Sequence, residues 1–475
     1  MIVEPPDRRG LRRVTIHDQT VGSAWSLREL RRVLRDLGYP DDMDLDDGSH
    51  VHWRGGDSSV WPDGRGWKRR TVIAVFVGGL LGSLALHAAI GWADTSGALT
   101  FPQRLVGILF LMAGAVQAIV VPAVVDYWGR RRVKLSGALI LLGVLITLAT
   151  TSLLLFLWLQ EREFIPRLIA FISLWLWSMW ALYMLIHDRV WRGIPYPKRF
   201  AAGVTATALL TSVSLGYSIL YKPITAPVHF ALKAEFGTPS TDADSPYIHV
   251  PLKFSAKNVG GIPVYLVVDE YVVSGYWAEF SDSGQGMKEW KTGNLPTEAE
   301  QFARNVDYET IASGQFQGPG STLDVGEEFK LEKVITLPKD TDYETLDATL
   351  GIAFLRQDRG KIDEEFSYPR PSWDKSAGKY YCPPDECGEE LVYHGRIRHN
   401  TSLINMTRKP RYVAAFWSPE RTADFFISSF DFKRRGIYES LDTEEVNREA
   451  ERYYLGWVEV NSQVSVKGLL KQAQP

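Results

Sequence analysis

The stretch TVIAVFVGGLLGSLALHAAIGWA, residues 71–93, contains no Asp, Glu, Lys or Arg and follows directly on Lys68-Arg69-Arg70. A helix of this length and composition crosses about 30 Å of hydrocarbon. Four further segments are similarly apolar: 105–126, 135–159, 165–187 and 200–221. Five membrane-spanning helices are expected, joined by loops too short to hold domains. They divide the chain into a basic cytoplasmic tail (1–70), a five-helix transmembrane region (71–222) and a β-rich region (223–475).

Bulk composition hides this division. The chain has 475 residues, a formal net charge of -3 and a mean hydropathy of -0.11, values shared by many proteins with no membrane part. Near-neutral charge argues against a nucleic-acid partner. Arg outnumbers Lys, which points to a bacterial source. No short apolar stretch with a cleavage site precedes Thr71, so the first span is expected to act as an uncleaved signal-anchor.

Orientation follows from the distribution of Lys and Arg. Basic clusters precede the first span (Lys68, Arg69, Arg70), the third (Arg130, Arg131, Arg132, Lys134) and the fifth (Arg189, Arg192, Lys198, Arg199). The other two loops hold only Arg104 and the pair Arg162 and Arg167. This places the N-terminus in the cytoplasm and the C-terminal region outside the cell membrane.

No Asp, Glu, Lys or Arg lies near a span centre, where such a charge costs at least ~2.5 kcal/mol. His87 and Gln117 are the strongly polar exceptions; each either lines a path or makes an interhelical hydrogen bond, typically worth ~0.6 kcal/mol. Gly78 and Gly82 form a small-xxx-small pair that lets another helix approach. Trp175, Trp177 and Trp180 fall near mid-span, where indoles need partners on neighbouring helices or a lipid-like ligand.

In the tail, 1–21 reads as disordered and basic. Ser26-Leu27-Arg28-Glu29 is a capping box, and Gly38 and Pro40 end the helix it starts. Leu27, Leu30, Val33, Leu34 and Leu37 share one side of that helix; Arg28, Arg31, Arg32 and Arg35 share the other. Such a helix either lies on an anionic leaflet or packs its apolar face on the protein. The acidic run Asp41 to Asp47 and His50-Val51-His52 read as a linker, with a weak metal site as the alternative.

After residue 222 the periodicity changes from helical to alternating. Strands are expected at 228–236, 248–258, 264–273, 329–337, 349–355, 391–398, 412–417, 425–432 and 455–466. The runs on either side of Val259-Gly260-Gly261-Ile262-Pro263 read as a paired hairpin. Their order, strand, Asn-Val-Gly-Gly turn, strand, looks like the opening of extracytoplasmic immunoglobulin-like β-sandwich modules. Short helices are expected at 297–305 and 443–453. Cys382 and Cys387, the only cysteines, suit a structural disulfide in an oxidising compartment, with a metal site including His394 and His399 as the alternative.

Asp269, Glu270, Asp358, Asp363, Glu364 and Glu365 read as solvated surface. The sequence carries no Gly-x-Ser-x-Gly, no His-Glu-x-x-His and no phosphate-cradling loop, so no catalytic, cofactor or metal site is assigned. The expectation is a non-enzymatic integral membrane protein that displays an extracytoplasmic β-sandwich as a binding or structural module. Its expected partners are the lipid bilayer, a protein on the outer domain, and a second copy of the chain. The alternative is a membrane-embedded enzyme or small-molecule permease with its site in the helix bundle.

Overall fold

The computed structural model describes residues 1–6, 11–40, 42–59, 66–98, 100–129, 133, 135–188, 228–242, 244–280, 291, 303–374, 389–431 and 443–473. The chain forms two compact units, one built mainly from residues 1–214 and the other mainly from residues 215–475. The expected fifth span, 200–221, lies outside the described residues.

The first unit begins where disorder was expected, and the structure corrects that reading. Strands β1 (Ile2–Val3), β2 (Arg12–Ile16) and β3 (Gln19–Ala24) precede helix α1 (Leu27–Asp36), and β4 (His52–Trp53) follows it. They form a four-stranded sheet in the order β3-β2-β1-β4, with β4 parallel to β1. His17 and Asp18 adopt positive φ to make the tight β2–β3 turn. Leu30 and Leu34 of α1 are buried against Val3, Val14, Ala24, Leu45 and Val51. Val51, assigned from sequence to a linker, belongs to this core. Arginine-rich composition masked the strands, because Arg12 is itself buried, over the Trp53 ring at 5.3 Å.

Four helices follow: α2 (Gly66–Gly97), α3 (Phe101–Trp128), α4 (Ser136–Glu161) and α5 (Arg167–His187). All four are long and apolar enough to cross a membrane. Phe76 and Leu80 of α2, Val120 and Val124 of α3, Ile140 and Val144 of α4, and Ala181 and Leu185 of α5 form their shared core. Of the expected pair, Gly82 approaches α5 closely, where a Cβ would lie 3.3 Å from Leu174 Cδ2, but Gly78 faces open space. Its neighbour Gly79 is tighter still, since a Cβ there would overlap the Trp177 indole. The mid-span indoles find the required partners: Trp175 Nε1 donates to Ser152 Oγ (3.1 Å) and Trp177 Nε1 to Val75 O (3.0 Å).

The second unit is mostly antiparallel sheet. Its strands are β5 (Phe230–Phe236), β6 (Tyr247–Asn258), β7 (Val264–Phe280), β8 (Ala303–Gly314), β9 (Thr322–Leu323), β10 (Glu328–Pro338) and β11 (Thr345–Arg356). They continue as β12 (Gly360–Ile362), β13 (Arg370–Pro371), β14 (Leu391–His399), β15 (Arg411–Ser418), β16 (Arg421–Ser428) and β17 (Gly456–Ser465). Helices α6 (Ser402–Thr407), α7 (Thr443–Tyr453) and α8 (Val466–Ala473) complete the unit. Three sheets result: β10-β6-β5, a middle sheet β17-β11-β7-β8 with β9 on β7, and a last sheet β12-β14-β15-β16 with β13 on β14.

The expected hairpin across 259–263 is not made. β6 pairs with β5 and β10, while β7 pairs with β11 and β8, so the turn crosses from one sheet to another. Asn258 is buried in that turn: its Nδ2 donates to Ile262 O (2.9 Å) and Leu323 O (3.1 Å), and its Oδ1 accepts from Gly260 N. Alternation gives each strand one apolar face, and here those faces meet across a core. Ile248, Val250, Leu252 and Phe254 of β6 lie in one core with Leu346, Ala348, Leu350 and Ile352 of β11.

A second core lies on the other face of the middle sheet. Val267 and Val268 of β7 and Ala353 and Leu355 of β11 pack with Tyr393, Ile397, Val413, Ala415 and Ile427 of the last sheet. The register of β11 on β7 shifts between Ala353 and Phe354. Because successive side chains alternate, β7 supplies both cores, and the shift changes which positions face each of them. Helix α7 spans the expected 443–453, but the helix expected at 297–305 is overturned where it can be seen, since β8 begins at Ala303.

Candidate functional site

The four long apolar helices bring His87 and Gln117 into one buried group. His87 Nδ1 lies 2.8 Å from the Ser83 carbonyl, which only accepts, so Nδ1 carries the proton. His87 Nε2 lies 3.0 Å from Thr150 Oγ1. Gln117 Nε2 donates to Gly143 O (2.9 Å) and Thr147 Oγ1 (3.1 Å), and Thr147 Oγ1 lies 2.8 Å from Ser83 Oγ. The group therefore ties α2, α3 and α4 together at one level. Ser83, Gln117 and Thr147 have no solvent exposure. Gln117 Oε1 has no hydrogen-bond partner among the described residues. Sequence reading found the two ends of this group but missed Ser83, Thr147 and Thr150, because hydroxyls are common in spans and no spacing marks these three.

At the Gly129 end of α3 and the Arg69 end of α2, α1 is fastened to the long apolar helices. Trp25 Nε1 donates to Gly129 O at the end of α3 (3.1 Å), and the Arg69 guanidinium of α2 sits 4.9 Å over the Trp25 ring. Glu29 closes the capping box onto Trp25 N (3.0 Å) and lies 4.0 Å from Arg69. Arg28, Arg31, Arg32 and Arg35 are all exposed on the opposite side from Leu30 and Leu34. The apolar face of α1, Leu30 and Leu34, lies in the unit's own core.

The second unit corrects the reading of its acidic residues. Asp269 and Glu270 of β7 are buried, not solvated. Asp269 accepts from the backbone N–H groups of Gln317 and Gly318 (3.0 Å to the latter). Gly318 has φ +94°, a conformation that lets successive N–H groups converge on one carboxylate. Burial raises the Asp269 pKa against those bonds. Glu270 accepts from Ala423 N of β16 at 3.2 Å. Burial, aided by the nearby charges of Asp269 and Glu459, pushes its pKa up to about 7.

An acid whose pKa is raised on folding loses stabilisation as pH rises from its unfolded value to its folded value. For Glu270 that window runs from about 4.5 to about 7. Glu270→Gln keeps the acceptor for Ala423 and removes the charge. Its thermal midpoint at pH 8 is expected to exceed the wild-type value, with a flatter pH dependence between pH 5 and 7. Asp269 and Glu390, whose pKa values burial also raises, contribute to the slope left in the variant. Identical pH profiles for wild type and variant would show that Glu270 does not titrate in this window.

His394 is buried with its ring stacked on Tyr412 at 5.1 Å, and His399 Nδ1 accepts from Thr401 N at 3.1 Å. Both histidines therefore pack within the last sheet. Cys382 and Cys387 lie outside the described residues. Among the described residues no group of three or more His, Cys, Asp or Glu is placed to hold a metal ion.

No family model matches this chain, and no curated protein matches it. Several solved structures show a partial likeness, two of them as follows. The sporulation control protein Spo0M from Bacillus subtilis is 12% identical, with a TM-score of 0.17 over 51% of this chain and 93% of that one. The ApaA protein from Bordetella pertussis is 9% identical, with a TM-score of 0.15 over 28% of this chain and 80% of that one. Scores this low assign neither fold nor function.

Proposed function

We propose that this chain is an integral, multi-pass membrane protein with its N-terminus in the cytoplasm, displaying an immunoglobulin-like β domain outside as a binding or structural module. One contrast carries the reading. The four long helices leave Leu81, Met112, Ile119, Phe156 and Leu176 exposed, whereas the β-rich unit encloses cores of its own. Apolar side chains exposed all round a helix bundle suit lipid, which competes with no core. The domain limits that follow from this reading are 1–70, 71–222 and 223–475. The buried polar group at His87 and Gln117 supports helix packing over a permease path, because its members bond mainly to one another.

A reporter that fluoresces only in the cytoplasm tests the orientation. It is expected to glow when fused before Met1 and to stay dark after Pro475. Fluorescence at both ends would place the β-rich unit inside and overturn the display reading.

A further inference from the structure

We propose that the exposed arginine face of α1 is a docking surface for anionic phospholipid headgroups of the leaflet around the basic ends of α2 and α3. This inference rests on the membrane-spanning reading above, and it replaces insertion of α1 with purely electrostatic contact.

Three observations carry it. Leu30 and Leu34 are buried in the N-terminal unit, so α1 meets any surface as part of a folded platform. The platform is held at the helix ends by the Trp25–Gly129 hydrogen bond and by Arg69, which lies over Trp25 and beside Glu29. Arg28 is one turn from that clasp, and α1, ten residues long, extends only about 15 Å in all. Its arginines therefore stand near headgroup level.

The charges favour one occupant. Glu29 is turned to Arg69, leaving Asp36 as the remaining acid of α1 against four exposed arginines. The acidic run 42–47 follows from the end of α1 away from Trp25. By sequence, Gly129 is followed at once by Arg130, Arg131 and Arg132, and Arg69 is flanked by Lys68 and Arg70. The arginine face thus extends a basic zone already set at the helix ends, which suits an anionic surface more than an isolated soluble anion. Because the contact lacks an apolar part, salt should release it.

Amide hydrogen exchange of α1 tests this, with the full-length protein in nanodiscs of phosphatidylcholine alone or mixed with phosphatidylglycerol. Exchange across 27–36 is expected to slow on the order of tenfold in the anionic discs at low salt, and to recover at high salt. In the R28Q/R31Q/R32Q/R35Q variant the two lipids should give equal rates. Protection of β2 and β3 in that variant shows that the unit stays folded, since none of the four side chains is buried. Equal wild-type rates in both discs would overturn the proposal. So would equal slowing by inorganic phosphate in phosphatidylcholine discs, which would assign the face to a soluble anion. Failure to enter discs of either composition would instead count against the membrane-spanning reading itself.

Discussion

Arg411→Ala is expected to lower the stability of the β-rich unit by about 3–5 kcal/mol. Arg411 is buried in β15, with its Nε 3.2 Å from the carboxylate of Glu449, a side chain of α7 that is also fully buried. Arg452 reaches the same carboxylate at 2.7 Å from the surface side, and Glu445 lies 3.6 Å from Arg411. Removing Arg411 leaves the buried Glu449 carboxylate dependent on the partly exposed Arg452 and opens a cavity between α7 and the last sheet. For a unit of this size the midpoint should fall roughly 10 °C or more. Thermal unfolding of the purified full-length protein measures it. The double variant R411M/E449M is expected to recover most of the loss, because a hydrophobic pair needs no counter-charge. A single-variant loss below about 1 kcal/mol would show that water or Arg452 compensates Glu449 unaided.

Gly79→Ala and Gly78→Ala should differ sharply although they are neighbours. A methyl group at 79 overlaps the Trp177 indole, which is fixed by its bond to Val75 O and by Phe76 at 6.1 Å. Overpacking of this kind costs about 1–3 kcal/mol. A methyl group at 78 meets nothing within 4 Å and should be neutral or stabilising by up to ~1 kcal/mol, since alanine is the better helix former. Loss of helical circular dichroism on heating in detergent compares the two. Equal midpoints would mean that Trp177 swings aside freely.

These two glycines also show where sequence reading stops. Small-xxx-small spacing placed a close approach on α2, but which face meets α5 depends on where Trp177 falls, and helix rotation leaves no local mark. Four of the five expected apolar helices were legible, because such long apolar runs have few other uses. Strand positions were legible for the same kind of reason: alternation at β6 and β10 tracks burial closely. Pairing was not. Val259 to Pro263 reads as a hairpin turn, but the decision to cross between sheets rests on Asn258 bonding Leu323, 65 residues away. At the N-terminus, the five-residue strand β2 with its two arginines carries too little apolar signal, and Arg12 is buried through its stem and Trp53. Asp269 and Glu270 looked solvated because composition does not show that Gln317 and Ala423 would turn backbone N–H groups toward them.

The middle sheet has a consequence for inheritance. β7 and β11 each line two cores, one on either face, joined through the bulge at Ala353 and Phe354. Exchange of modules between genes needs a breakpoint that leaves each piece with its own interior. A cut between β7 and β11 would instead give each piece half of a shared wall, so these two strands are expected to travel together in any shuffled descendant.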